Sequence, residues 1–472
     1  MARILVTGAN GFIGSHLVRE LLKRGHQVRG LVRHTGNLSS LVGVPIELFI
    51  GDVRDPATLA APMQGVEYVY HLAAELMVTS EQEFKATNTR GTQNMLEAAE
   101  KFARGTLKRF LYVSSQAAAG PSTDPTPIEE TAERKPISWY GQSKMEAEDI
   151  VHGFAGRVPV TIVRPSSVYG ERERDISQVF PAIQQRLQPR VGILTKWAVM
   201  VYVEDLVQGF IAAAESDKTI GQVYFLNHPQ VLTAGQIVKT MAAACNKSAG
   251  LMFPVPIALF RLVAPFAEAM QQFNRDRPPI TRDKAREVAQ RFWVADPSKA
   301  KRDFGWQAQH DFLRGMQNTT QYFFDEQRRL QQMPLETGLS RWLKYLAVAV
   351  LLGGLIEISS ATGGFYKFDP GWFVFVIVFG AFGLSLGTLA MLLRMQSGLV
   401  QFLAGTLLAG AVELANAFHL IPKVRWVFAS GWPLGITSPI WRSVVLGLAG
   451  GAFVLIVNAI MLALYKRRLR LG

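Results

Sequence analysis

Cysteine is almost missing from this chain. Cys245 is the only one among 472 residues, so no disulfide can close within it. A lone thiol fits a reducing compartment. Acidic residues are scarce in one region only. Residues 1–334 carry 39 Lys/Arg and 33 Asp/Glu, whereas residues 335–472 carry 11 and 4. The net charges are +6 and +7, which together make the overall +13. The first region lacks basic runs interleaved with aromatic residues, which argues against a nucleic-acid partner. The start, Met1-Ala-Arg-Ile-Leu-Val-Thr7, is too short an apolar run for a leader peptide. Internal repeats and low-complexity segments are absent too. The first region is therefore expected to stay in the cytoplasm.

What is present is a regular alternation. Short apolar runs at 4–7, 27–33, 48–51, 68–72, 110–114 and 160–164 read as buried strands. Helical patterns lie between them, at 12–24, 84–102 and 140–154. Strands alternating with helices mean βαβ units and a doubly wound parallel α/β sheet. After Arg164 the alternation loosens. Segments 166–201 and 227–305 are expected to form a small lobe over the sheet. Within it, Pro254 to Phe273 reads as a long apolar helix, either a core element of the lobe or a surface dipping into a membrane.

Residues 335–472 differ in kind. Four apolar stretches, 343–363, 372–393, 399–421 and 443–465, are each long enough to span hydrocarbon, which takes roughly 20 residues. The region therefore reads as an all-α transmembrane domain, multi-pass in the lipid bilayer. Arg341, Lys344, Arg394 and the tail Lys466-Arg-Arg-Leu-Arg470 fall on one side. Lys367, Lys423, Arg425 and Arg442 fall on the other. The positive-inside bias places both termini and the first region in the cytoplasm. Glu357, Glu413, Asn416, His419 and Asn458 stand out among the polar residues of these stretches. Helix–helix hydrogen bonds explain them more simply than a proton or metal site, and no metal is expected.

Thr7-Gly8-Ala-Asn10-Gly11-Phe12-Ile13-Gly14 follows the first strand and opens the first helix. Glycines there permit a tight turn and let backbone N–H groups meet a pyrophosphate at the helix N-terminus. The second strand ends Leu31-Val-Arg33-His34, without the acid that would hold a ribose 2′-OH. Arg33 would face a 2′-phosphate instead, so NADP is the expected cofactor, with NAD the alternative. Asp52, after the third strand, could accept from an adenine amino group. Downstream, Tyr140-Gly-Gln-Ser-Lys144 places Tyr and Lys four apart on one helix face. Of eleven tyrosines this is the one with Lys at that spacing. The ammonium is expected to lower the phenol's pKa towards usable acid–base chemistry.

With these residues in place, the first ~330 positions resemble the extended short-chain dehydrogenase/reductase superfamily, which has a Rossmann fold. Thr7–Gly14 is similar to its glycine loop. His71-Leu72-Ala73-Ala74 resembles the segment ending the fourth strand beneath the cofactor. Asn88 matches the family's helix Asn, Ser115 its active-site Ser, and Tyr140/Lys144 its Y-x-x-x-K. Arg164-Pro165-Ser166-Ser167-Val-Tyr-Gly170 resembles the loop closing on nicotinamide, and Tyr202-Val-Glu-Asp205 a later turn. The resemblance implies that Ser115, Tyr140 and Lys144 are catalytic. Val53, Leu72, Ala73, Ala74, Asn88, Pro165 and Ser167 would join the glycine loop around the cofactor. It does not extend to residues 335–472.

Substrate choice is less marked. Epimerase-like members carry an Asn after the sixth-strand Arg and an Arg-Asp pair before the later turn, the Arg holding phosphate. Here those positions read Pro165-Ser166-Ser167 and Ala198-Val199. A diphosphate would then depend on Arg172, Arg174 or Lys196. Trp197-Ala-Val-Met-Val-Tyr202 suggests an apolar pocket wall. It looks more like the 3-beta-hydroxysteroid dehydrogenase branch, as do Phe292–Asp296 and Ser298–Trp306. The expectation is an oxidoreductase acting on a hydroxyl or keto group of a sterol-like or isoprenoid substrate. The alternatives are a membrane-tethered nucleotide-sugar epimerase or dehydratase, and a cofactor-binding subunit without turnover. A homodimer is compatible with either enzyme.

Overall fold

The computed structural model describes residues 1–332 except 174–175, 181–182, 184–186, 192–193, 249, 256, 258–263, 266–267 and 269–280. The chain separates into two units, Met1–Met333 and Pro334–Gly472, and the described residues all belong to the first. The four expected spans, Glu413, Asn416 and His419 among their residues, lie outside the described residues, as does most of the 254–273 segment. Among the described residues, no helix is long and apolar enough to cross a membrane.

Seven parallel strands make the central sheet. They are β1 (Arg3–Thr7), β2 (Gln27–Val32), β3 (Glu47–Ile50), β4 (Tyr68–His71), β5 (Arg109–Val113), β6 (Val160–Pro165) and β7 (Val223–Leu226). Their order is β7-β6-β5-β4-β1-β2-β3. The chain winds outward from β1 through β2 to β3, then returns to β4 on the other side of β1. That reversal opens a crevice at the carboxyl ends of β1 and β4, where doubly wound folds bind ligands. Thr7 stands in register with both Leu31 and His71, which places the three strand ends level.

Side-chain alternation explains the two covered faces. Ile4 and Val6 face a core with Leu17, Val18 and Leu21 of α1 (Phe12–Lys23). Leu5, between them, faces Met95, Leu96 and Ala99 of α2 (Gly91–Phe102). The same second face takes Ala147 and Val151 from α3 (Trp139–Gly153). The first face is completed by α4 (Val203–Glu215), with Phe210 fully buried. The expected single helix over 84–102 is instead a short helix Glu81–Phe84, a π-helical stretch Lys85–Arg90, and α2. The wider turn carries Asn88, and such turns are frequent at functional sites. Two small sheets lie over the carboxyl edge. One pairs Ser167–Tyr169 with Met200–Tyr202; the other joins Leu232–Thr233, Trp197–Ala198 and Phe292–Trp293. The helix α5 (Arg282–Ala289) is tied to the second of them, since the Trp293 indole donates to the Glu287 carbonyl at 3.1 Å.

Candidate active site

The loop after β1 is shaped by two glycines. Gly8 has φ +68°, and a Cβ there would sit 3.1 Å from the Ala73 amide. A Cβ on Gly14 would meet the Gly8 carbonyl oxygen at 2.1 Å, so the loop closes onto α1 only with glycine at that position. Gly11 starts α1 in extended conformation without a side-chain cap. The first N–H groups of α1 are therefore not claimed by a capping side chain, the arrangement that receives a pyrophosphate. The neighbouring side chains hold this cradle. Thr7 Oγ1 accepts from the Ala73 amide at 3.0 Å and bonds His71 Nδ1 at 2.7 Å. His71 Nε2 bonds Thr92 Oγ1 at 3.0 Å. Burial, reinforced by the Lys144 charge, pushes His71 down to about 3, so it is neutral and bridges two hydroxyls. Asn10 donates to the Asn37 carbonyl at 3.0 Å, tying down the loop after β2. Phe12 sets its ring edge-on to His16, and both Phe12 and Ile13 pack against the buried cluster that contains Tyr169, Tyr202 and Phe312.

At the far end of the crevice Arg33 is not a free cation. Its Nη1 meets Glu75 Oε1 at 2.6 Å. Asp52 is also engaged: the Arg54 guanidinium reaches its two oxygens at 2.6–3.0 Å, and the Arg54 amide donates at 2.9 Å. Burial opposes ionisation of Asp52, but these Arg54 bonds outweigh it and hold the carboxyl below its ordinary range. Val53 is buried against Gly91 and takes the Asn94 amide on its carbonyl at 2.8 Å.

Ser115 and the Tyr140/Lys144 pair meet where β5 ends beside α3. Ser115 Oγ accepts from the Ala117 amide at 3.1 Å and also hydrogen-bonds the Tyr140 hydroxyl. Lys144 is buried, donates to the Val113 carbonyl at 2.8 Å, and lies 4.9 Å from the Tyr112 ring centre. Burial lowers Lys144 to about 7, against the raising effect of Glu148. The expected lowering of Tyr140 by Lys144 is reversed here. Burial pushes the phenol up, the Ser115 bond only partly offsets it, and Glu287 adds to it. The ammonium is committed to the Val113 carbonyl instead.

Several positioning residues escaped the sequence reading. Glu148, one turn beyond Lys144, is fully buried and takes Arg164 Nε and Nη2 at 2.8 and 2.7 Å and Ser114 Oγ at 2.6 Å. Asp283 of α5 accepts from the Trp139 and Tyr140 amides at 2.7 and 3.2 Å, and Glu287 takes the Ser138 hydroxyl at 2.7 Å. Two carboxylates of the lobe thus hold the start of the helix that carries Tyr140, where the helix dipole favours them. The Tyr-Lys spacing marks α3, but no local pattern links 283 to 139. Asn88 uses its amide on the Glu75 amide (2.8 Å), the Glu75 carbonyl (3.1 Å) and Ser143 Oγ (3.0 Å). It fastens the segment after β4 to α3.

On the substrate side, Pro165 ends β6 buried, and Ser167 is exposed. Ser166 Oγ, between them, is buried without a partner among the described residues. The apolar wall expected from Trp197–Tyr202 narrows. Val199, Val201 and Tyr202 are buried, and the Tyr202 hydroxyl donates to Glu171 at 2.6 Å. Trp197, stacked on Phe292 with ring centres 5.1 Å apart, and Ala198 keep some exposure. Arg172 donates to Ser15 Oγ at 3.1 Å, and Lys196 donates to the Val288 carbonyl. Arg174 lies outside the described residues. The glycine cradle, the uncapped start of α1 and the partnerless Ser166 hydroxyl together fit a dinucleotide laid across the crevice.

Comparison with known proteins agrees with this geometry. The profile of the NAD dependent epimerase/dehydratase family matches residues 4–226. The chain is 31% identical over 266 residues to a 3 beta-hydroxysteroid dehydrogenase/Delta 5-->4-isomerase of Mycobacterium tuberculosis, covering 52% of this chain and 70% of that one. It is 25% identical over 338 residues to a UDP-glucose 4-epimerase of Vibrio cholerae, covering 69% and 97%. Among solved structures, gox2253 superposes with a TM-score of 0.57 at 27% identity, covering 70% of this chain and 99% of that one.

Proposed function

The chain belongs to the NAD-dependent epimerase/dehydratase family, and from that premise we propose that it is a membrane-anchored oxidoreductase. It would move a hydride between NADP(H) and a hydroxyl or keto group of a lipophilic, sterol-like or isoprenoid substrate. When bound, the nicotinamide supplies or takes the hydride. Tyr140 exchanges the proton with the substrate oxygen, Ser115 hydrogen-bonds that oxygen, and Lys144, which gives one N–H to the Val113 carbonyl, would hold the ribose with those that remain. Gly8, Gly11 and Gly14 seat the pyrophosphate, and Arg33 meets the 2′-phosphate.

The observation that carries the lipid reading is the engagement of the two described candidate cations. Arg172 is turned onto Ser15 of α1, and Lys196 onto a backbone carbonyl. Ala198 and Val199 offer no charge at all. A sugar diphosphate would need charge-assisted donors, each roughly twice as strong as a neutral one. The likeness to the Vibrio epimerase supports a nucleotide-sugar substrate as the second reading. The apolar stretches beyond residue 342 support a membrane anchor that presents the catalytic domain, on the cytoplasmic side, to bilayer-resident substrate. Mass spectrometry of the full chain, purified in mild detergent, tests the choice. Co-purified NADP(H) with a polycyclic or isoprenoid alcohol or ketone is expected. A retained nucleotide sugar would overturn the lipid reading.

A further inference from the structure

Arg33 already has an anionic partner, and that partner is anchored. The Arg33–Glu75 pair closes at 2.6 Å, with Glu75 14% exposed and Arg33 44% exposed. The Glu75 backbone is gripped on both sides by Asn88, through its amide and its carbonyl. Asn88 thus fixes the Glu75 main chain beside the crevice, and the Glu75 carboxylate, on a shorter and less exposed side chain, has less room to move than the longer, more exposed Arg33. Next to them Arg54 is occupied by Asp52. Among the described residues each of these two cations is thus paired with a carboxylate, and Glu83 adds a further negative charge near Arg54, so no surplus positive charge waits for a dianion.

We propose that Glu75 is a selectivity residue that competes with the cofactor's 2′-phosphate for Arg33 and so limits the preference for NADP(H) over NAD(H). The inference rests on the reading that Arg33 meets that phosphate. NADP(H) binding must draw Arg33 away from Glu75, or share it, with a carboxylate left beside the phosphate. NAD(H), with a 2′-hydroxyl, leaves the pair intact. Glu75 is thereby the counterweight that lets one site take either dinucleotide.

The test is fluorescence titration of the full chain in detergent with NADPH and NADH, for wild type, Arg33→Ser, Glu75→Gln and the double variant. Glu75→Ser serves as a second neutral replacement, and thermal melts check that each variant is folded. Glu75→Gln should tighten NADPH by about 5- to 20-fold and move NADH by less than about 2-fold, the scale of removing one nearby like charge. Arg33→Ser should erase the preference, and the double variant should match Arg33→Ser. If Arg33→Ser erases the preference but neither neutral variant at 75 raises it, the competition is refuted and the Arg33 reading stands. Weaker NADH binding in Glu75→Gln would show that Glu75 holds the ribose itself, and refutes it too. Loss of both cofactors in both neutral variants would make Glu75 a scaffold residue, again refuting it. An unchanged preference in Arg33→Ser would overturn the Arg33 reading and the competition together.

Discussion

Replacing Glu148 with Gln separates two effects that this buried carboxylate has on the site. Glu148 is fully buried and Arg164 is 3% exposed. The pair is bidentate, Ser114 adds a third bond, and Arg134 Nη1 approaches Glu148 Oε2 at 3.4 Å. Arg164 Nη1 has no hydrogen-bond partner among the described residues. Neutralising Glu148 leaves the guanidinium buried without its countercharge, which costs about 3–5 kcal/mol. For a domain of this size that lowers Tm by roughly 4–7 °C. The second effect is on Lys144, which burial holds at about 7 and Glu148 raises. Removing the carboxylate lowers Lys144 further, so the ammonium loses its proton at lower pH. Activity that depends on the ammonium should then fall off on the alkaline side at a lower pH than in wild type. The double variant Glu148→Leu/Arg164→Met should recover most of the lost Tm, because an apolar pair pays no desolvation. It should keep the displaced pH profile. Differential scanning fluorimetry and a pH–rate profile read the two separately. A wild-type Tm and an unmoved profile in Glu148→Gln would refute the reasoning.

Three further outcomes are expected. Tyr140→Phe keeps the ring but removes the proton donor, so turnover should drop by about 10²-fold or more while NADPH titrates as in wild type; wild-type turnover would dismiss Tyr140 as the acid–base group. Asp283→Ala leaves the Trp139 and Tyr140 amides without their acceptor, which should cost about 1–2 kcal/mol in a melt and lower kcat more than it raises KM. Burial, only partly offset by those amides, raises the Asp283 carboxyl. The folded state therefore holds its proton longer than the unfolded chain, and stability falls as pH rises from the ordinary carboxylate range through that raised value. Asp283→Asn should flatten this slope. For the membrane region, external thiol labelling in a Cys245→Ser background should reach Lys367→Cys and not Arg467→Cys, and the opposite pattern would invert the proposed topology.

Much of the cofactor half was legible because its signals are local. The glycine spacing, the apolar strand runs and the Tyr-Lys interval each lie within one turn or one strand. The strands at 27–32, 68–71 and 160–165 appeared within a residue or so of the expected runs. The π-helical stretch at 85–90 was missed because its residues read as ordinary helix, and the partners that Asn88 meets there, Glu75 and Ser143, lie far along the chain.

By itself the sequence determined where the chain turns, which faces are apolar, and which residue types stand ready for hydride chemistry. Those depend on neighbours one to four positions apart, where backbone geometry leaves little choice. Only the tertiary structure decided the partners of the charges. Arg33 faces Glu75 across 42 residues and Asp283 caps α3 across 144. Glu148 neutralises Arg164 on a neighbouring strand. Burial then reversed the expected shift of Tyr140 and brought Lys144 near neutrality. A charge's pKa and purpose follow from what is packed around it, and that packing is written in contacts far apart along the chain.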